Sequence, residues 1–167
     1  MKLAKEKQTT LGLYVNSKEA YELWKSNPDK VKILDVRTLD EYILIGHAPM
    51  AYNVPAFLQT YEWDAEKNSF NYKLNEDFMT HIKDLFEPED TILVTCRSGG
   101  RSALAVNAMA GAGFKKVYNI TDGFEGDLVD DPESLYRGKR VKNGWKNAGV
   151  PWTYKIDYDL VRVPQTK

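Results

Sequence analysis

The stretch Thr91–Ala112 reads TILVTCRSGGRSALAVNAMAGA and carries the only cysteine of the chain, Cys96. Its first five residues are β-branched and apolar, the composition of a short buried strand. From Ser102 onward it is rich in Ala, Leu and Met, which favours a helix. Gly99 and Gly100 lie between the two, flanked by Arg97 and Arg101. A loop passing from a strand end into a helix N-terminus turns several backbone N–H groups into one concavity. Glycines let that backbone bend through conformations a β-carbon forbids. An anion placed there meets N–H donors, the helix dipole and two guanidinium groups. Cys96 falls at the floor of this bowl, and its thiolate is itself an anion. The arrangement suits a reactive sulfur.

Working outward, strand and helix patterns alternate. Asn16 with Glu19 forms a helix cap and its partner, and a helix runs from there to about Ser26, before Pro28. Val31–Val36 reads as a strand, Thr38 to about Ile45 as a short helix, and Ala51–Val54 as a second short strand. Glu41 stands four residues after Arg37, a spacing at which the two pair across one helical turn. Phe57–Lys73 holds five aromatic residues without clean periodicity and reads as a long ordered loop. Asn75 caps a helix through Phe86, whose apolar residues share one face. Lys116–Ile120 is the strand after the glycine turn at Gly111 and Gly113. The alternation predicts an α/β fold, a mostly parallel central sheet flanked by helices on both faces. The cysteine loop lies at a strand's carboxyl end, where such sheets bind ligands.

The chain of 167 residues is long enough for one domain that buries on the order of 70% of its unfolded surface. No internal repeat divides it, so 1–167 reads as one domain. Residues 1–10 are expected to be loose, and 126–143, acidic and then basic, to form an irregular excursion. With 23 basic and 24 acidic residues the net charge is −1, so no global field draws nucleic acid or membrane. A single cysteine precludes an intramolecular disulfide or a multi-cysteine zinc site. No apolar run reaches the ~18 residues of a membrane span, and the charged start lacks the apolar core of a signal peptide. The expected location is cytoplasmic by default, or periplasmic if an export signal has been trimmed.

Three blocks together resemble the rhodanese (sulfurtransferase) family. The first is Cys96-Arg97-Ser98-Gly99-Gly100-Arg101-Ser102. The second is Leu34-Asp35-Val36-Arg37-Thr38-Leu39-Asp40-Glu41-Tyr42 with Gly46-His47 and Asn53-Val54-Pro55. The third is Val117-Tyr118-Asn119-Ile120 with Asp122-Gly123-Phe124. The resemblance spans roughly Ser17 to Phe124 and implies a rhodanese-like fold. It implies a Cys96 persulfide formed from thiosulfate, a persulfide or a polysulfide and discharged to cyanide or a thiol, with no metal and no cofactor. Arg97, Ser98, Gly99, Gly100, Arg101 and Ser102 then bind substrate. Of these, Arg101 is expected to turn inward and brace the loop, Arg97 to face the mouth, Ser98 to reach the sulfur and Ser102 to cap the helix. Asp35, Arg37 and Glu41 are expected to form an ion-pair network beneath the loop, and His47 to be a hydrogen-bonding loop residue. Rival readings are a sulfur carrier or partner-binding module, and a cysteine phosphatase or arsenate reductase. Those phosphatases place five residues between Cys and Arg, against the four between Cys96 and Arg101. Trp145, Trp152 and Tyr154 are expected to fold back as cover for the core.

Overall fold

The computed structural model describes residues 2–164. Five strands form the central sheet: β1 (Tyr14–Val15), β2 (Val31–Asp35), β3 (Tyr52–Asn53), β6 (Thr91–Thr95) and β7 (Lys116–Ile120). Their order is β1-β7-β6-β2-β3, and every pairing is parallel. The helices are α1 (Ser17–Ser26), α2 (Leu39–Leu44), α3 (Phe78–Leu85) and α4 (Gly100–Gly111). The residues that alternate along the middle strands feed two separate cores. Leu34, Ile92 and Val94 pack with Ile82 of α3 and with Val106 and Met109 of α4. Ile33, Leu93 and Ile120 pack on the other face with Ala20 of α1, Tyr42 of α2 and Trp145. The α/β sheet covered on both faces is therefore as the sequence predicts. With both faces covered, β2 and β6 are near-continuous buried runs, as interior parallel strands are.

This topology places the site. After β2 the chain moves to one side, to β3, and returns on the other side of β2 as β6. The crevice beyond the carboxyl ends of β2 and β6 is therefore a topological switch point. The β2–β6 register sets Asp35 beside Thr95, so Val36 and Cys96 leave the sheet side by side and Arg37 follows one residue on.

Several expectations change. Phe57–Lys73 is a hairpin of two antiparallel strands, β4 (Phe57–Asp64) and β5 (Ser69–Leu74), with a register shift between Gln59 and Trp63. Most of it projects from the body, with Tyr61 96% exposed, so no core underneath imposes an alternating pattern. The helix read from Asn75 starts later, at Phe78. Asn75 instead binds the Pro55 carbonyl with its side-chain amide and receives the Asp77 N–H. Residues expected to be loose are docked: Lys5–Lys7 form a 3-10 turn, and the Lys7 ammonium reaches the Thr121 carbonyl at 2.8 Å and Asp127 at 2.6 Å. Trp145 is wholly buried rather than a cover, and Tyr154 is exposed.

At the carboxyl end of β2, Asp35 and Arg37 form an ion pair sealed from water. Arg37 donates Nη2 to Asp35 Oδ2 at 2.6 Å and Nε to Oδ1 at 3.0 Å, and the two side chains are 0% and 1% exposed. Arg37 Nη2 also donates to the Gly46 carbonyl at 2.7 Å, and the guanidinium rests 4.3 Å from the Phe124 ring centroid. Burial opposes the charge on Arg37, but Asp35 outweighs it and raises the arginine's proton affinity. Removing one partner of a buried pair strands the other charge, at a cost of about 3–5 kcal/mol. Asp35→Ala is therefore expected to lose that much stability in urea unfolding. The double variant Asp35→Leu/Arg37→Met should lose clearly less, and equal losses would show that the stranded charge is not what costs.

Candidate active site

The site is built where β6 ends. Cys96 is 2% exposed and its sulfur faces the loop that follows it. The Gly99 backbone N–H donates to Sγ at 3.1 Å, and the Ser102 hydroxyl oxygen lies 3.3 Å from the same sulfur. Gly99 holds φ +104°, and a β-carbon there would stand 2.6 Å from the Thr121 carbonyl oxygen. Both the left-handed backbone and the close approach require glycine. Gly100 requires neither, since its φ is not positive and a β-carbon would meet open space. The expected glycine pair is thus one obligatory glycine and one first residue of a helix.

Ser102 is not a cap. The N-cap of α4 is Gly99, and Ser102 stands inside the first turn, wholly buried. Its hydroxyl donates to Asn119 Oδ1 at 2.6 Å. The amide nitrogen of Asn119 donates to the carbonyls of Gly99 at 3.0 Å and Lys7 at 2.9 Å, which fixes which way the amide points. A hydroxyl has one proton to give. With that proton on Asn119, Ser102 presents a lone pair to a Cys96 S–H. When the sulfur is an anion, the same hydroxyl can turn to donate to it. Asn119 was visible in the sequence only as part of a strand block. Its side-chain role depends on the approach of α4 and the N-terminal segment, which no local pattern reports.

The two arginines divide as the sequence suggests. Arg101 turns inward in a bidentate pair with Glu41, Nη1 to Oε2 at 2.8 Å and Nη2 to Oε1 at 2.6 Å, with the Tyr72 ring 5.3 Å from its guanidinium. Glu41 also accepts from the Thr38 N–H and hydroxyl, each at 3.0 Å, closing a capping box on α2. The expected Arg37–Glu41 pair is absent because Arg37 precedes α2 and is taken by Asp35. Arg97 is exposed, while its carbonyl accepts the N–H groups of Glu125 and Gly126. Ser98 makes no side-chain hydrogen bond to the sulfur among the described residues; the Gly99 N–H fills that place. The Phe124 N–H holds the Cys96 carbonyl at 2.7 Å, so the turn after β7 straps the loop from behind. His47 is a loop residue held between the carbonyls of Tyr42 at 2.8 Å and Lys155 at 3.1 Å, its ring stacked on Tyr42. It belongs to the scaffold.

Burial raises the Glu41 carboxyl, but the Arg101 and Thr38 donors outweigh it and hold the group below the ordinary 4.5. A carboxyl lowered by folding contributes stability above its unfolded value, and that stability is lost as pH falls through the folded value. Wild type should therefore exceed Glu41→Gln by about 2 kcal/mol at neutral pH, the scale of hydrogen bonds to a charged group. The gap should close below pH about 4.5. Parallel stability curves from pH 7 to acid would show that the Glu41 charge contributes nothing.

The Rhodanese-like domain family matches residues 17–128. An uncharacterized protein of Rickettsia rickettsii, the RP600 homolog, is 33% identical over 139 residues, covering 83% of this chain and 94% of its own. Thiosulfate sulfurtransferase 18 of Arabidopsis thaliana is 38% identical over 93 residues, 54% of this chain and 62% of that protein. The crystal structure of Rv0390 from M. tuberculosis superposes with a TM-score of 0.63 at 26% identity, covering 84% and 96% of the two chains. A sheet, a loop and two ion pairs arranged in this way, together with those matches, show that the chain belongs to the rhodanese-like domain family.

Proposed function

We propose that the protein is a sulfurtransferase of the thiosulfate type, working through a persulfide on Cys96. The observation that carries this reading is a buried sulfur faced by the Gly99 N–H and the Ser102 hydroxyl, with a charged arginine already withdrawn from the bowl. The Cys96 thiolate attacks the sulfane sulfur of the donor. The new S–S bond forms as the bond to the sulfonate breaks, and sulfite leaves with that electron pair. Cys96 then carries an anionic outer sulfur. The Gly99 N–H already faces Sγ, and the Ser102 hydroxyl can turn from Asn119 to donate as negative charge builds on the sulfur. An acceptor thiolate or cyanide next attacks the outer sulfur, and Cys96 departs as thiolate. This is nucleophilic catalysis in two half-reactions. Neither half-reaction calls for a metal or an organic cofactor.

The phosphatase reading is disfavoured by the same geometry. In the phosphatase reading, the arginine that closes the cysteine loop is the one that clamps the phosphoryl oxygens. Arg101 has both terminal nitrogens on Glu41, and only four residues separate it from Cys96. Steady-state assays test the choice directly. Thiosulfate and cyanide should yield thiocyanate and sulfite with ping-pong kinetics, and aryl phosphates should turn over far more slowly. An enzyme that prefers aryl phosphate would reverse the assignment.

A further inference from the structure

The excursion expected at 126–143 is irregular, and it lies almost wholly beyond the family match, which stops at residue 128. Its neck is nevertheless tightly closed. Gly126 holds φ +96°, and a β-carbon there would collide with the Asn143 carbonyl oxygen, so the two ends of the excursion touch backbone to backbone. Across this neck the Asp127 N–H donates to Asn143 Oδ1 at 2.7 Å, and Asn143 Nδ2 returns a bond to Asp127 Oδ2 at 3.0 Å. Lys7 takes the other oxygen of Asp127. The excursion is therefore pinned at its base.

What the neck delivers is Arg140. Its Nη1 donates to the Gly126 carbonyl at 2.6 Å, while the Gly126 N–H donates to the Arg97 carbonyl at 3.1 Å. One residue thus ties the Arg140 guanidinium to the active loop directly after Cys96. Among the described residues neither Arg97 nor Arg140 has a carboxylate within ion-pair distance, although five other ion pairs form. Asp127 is spent on Lys7 and Asn143. Glu125 lies close enough to act on Arg140 through space but bonds to neither arginine. Arg140 is held through Gly126 to the backbone of Arg97, and neither guanidinium is bonded to a carboxylate, which leaves both free to take an anion from solution. The electrostatics agree: burial and the Arg97 charge lower Arg140's proton affinity, while Glu125, Asp127 and the Cys96 sulfur support it. A groove of about 560 Å³ opens beside Arg140, lined by Ile45, Glu125, Leu128, Lys139, Arg140 and Lys146. Of its four charged side chains three are cationic.

The geometry points to Arg140 as a specificity residue, forming with Arg97 a rim site for the sulfonate or other anionic end of the sulfur donor while its sulfane sulfur points at Cys96. This rests on the reading of Cys96 as the sulfur-accepting nucleophile. It extends that reading by selecting doubly charged or sulfonate-bearing donors over neutral ones, through a residue outside the family loop.

The test uses two thiol reagents that differ in charge, so that it does not depend on thiosulfate turnover. Cys96 is modified with neutral methyl methanethiosulfonate and with the anionic 2-sulfonatoethyl methanethiosulfonate, and the ratio of rates is read. Arg140→Gln keeps a donor for the Gly126 carbonyl and removes the charge. It should lower the anionic-to-neutral ratio roughly tenfold, the scale of one lost charge-assisted hydrogen bond. Arg137→Gln, which removes the same charge from an exposed residue of the excursion outside the groove, should leave the ratio near that of wild type. The KM for thiosulfate should rise in Arg140→Gln with kcat little changed. An unchanged ratio in Arg140→Gln, or an equal fall in Arg137→Gln, would overturn the rim site. A wild type that modifies with the expected ratio yet never accepts sulfur from thiosulfate would overturn the proposed activity and leave the rim site standing.

Discussion

The Asp35–Arg37 pair, dry at the carboxyl end of β2, is the constraint on which the loop around Cys96 depends. A buried pair contributes little net stability against a well-packed apolar substitute, because desolvation consumes most of the Coulomb gain. What it does supply is position. Arg37 reaches the Gly46 carbonyl on one side and lies over Phe124 on the other. Phe124 in turn holds the Cys96 carbonyl with its backbone N–H. The exit of β2, the loop at Gly46 and the turn after β7 are thereby locked to one guanidinium. The active loop is strung across that frame.

A second pair, Glu41–Arg101, acts one layer further out and does something different. It fixes the far end of the loop to α2 and removes a cation from the bowl. The sulfur is left with dipolar donors, the Gly99 N–H and the Ser102 hydroxyl, rather than with a full charge in contact. Such donors stabilise an anionic sulfur without locking it irreversibly into an ion pair, which suits a group that must gain and then give up an atom. In the proposed rim site, full positive charge is held further out, on Arg97 and Arg140. In the proposed mechanism, holding the charge of the donor is thereby separated from holding the charge of the persulfide.

Much of this was legible in the sequence where the signal is local. The capping box at Asn16 and Glu19 sits where it was read, and β7 keeps its predicted bounds at Lys116–Ile120. Cys96 lies between strand and helix because apolar β-branched residues give way to Gly and then Ala. The errors arise where distant segments decide. Arg37 and Glu41 have helical spacing, yet the helix starts only at Leu39, so the spacing never becomes a shared face. Ser102 looks like a cap by residue type, but Gly99 can adopt the left-handed turn and starts the helix earlier. The β4–β5 hairpin lacks the two-residue alternation because little of it faces a core. Lys7 looked like part of a loose terminus because its partners, Thr121 and Asp127, are more than a hundred residues away.

The central claim is that Cys96 carries the transferred sulfur, and intact-mass measurement tests it most directly. Wild-type protein incubated with thiosulfate and freed of small molecules should weigh more by one sulfur atom, and cyanide should restore the original mass. Cys96→Ser should gain nothing under the same conditions. A wild type whose mass never changes, or a Cys96→Ser variant that takes up the same sulfur, would contradict the account.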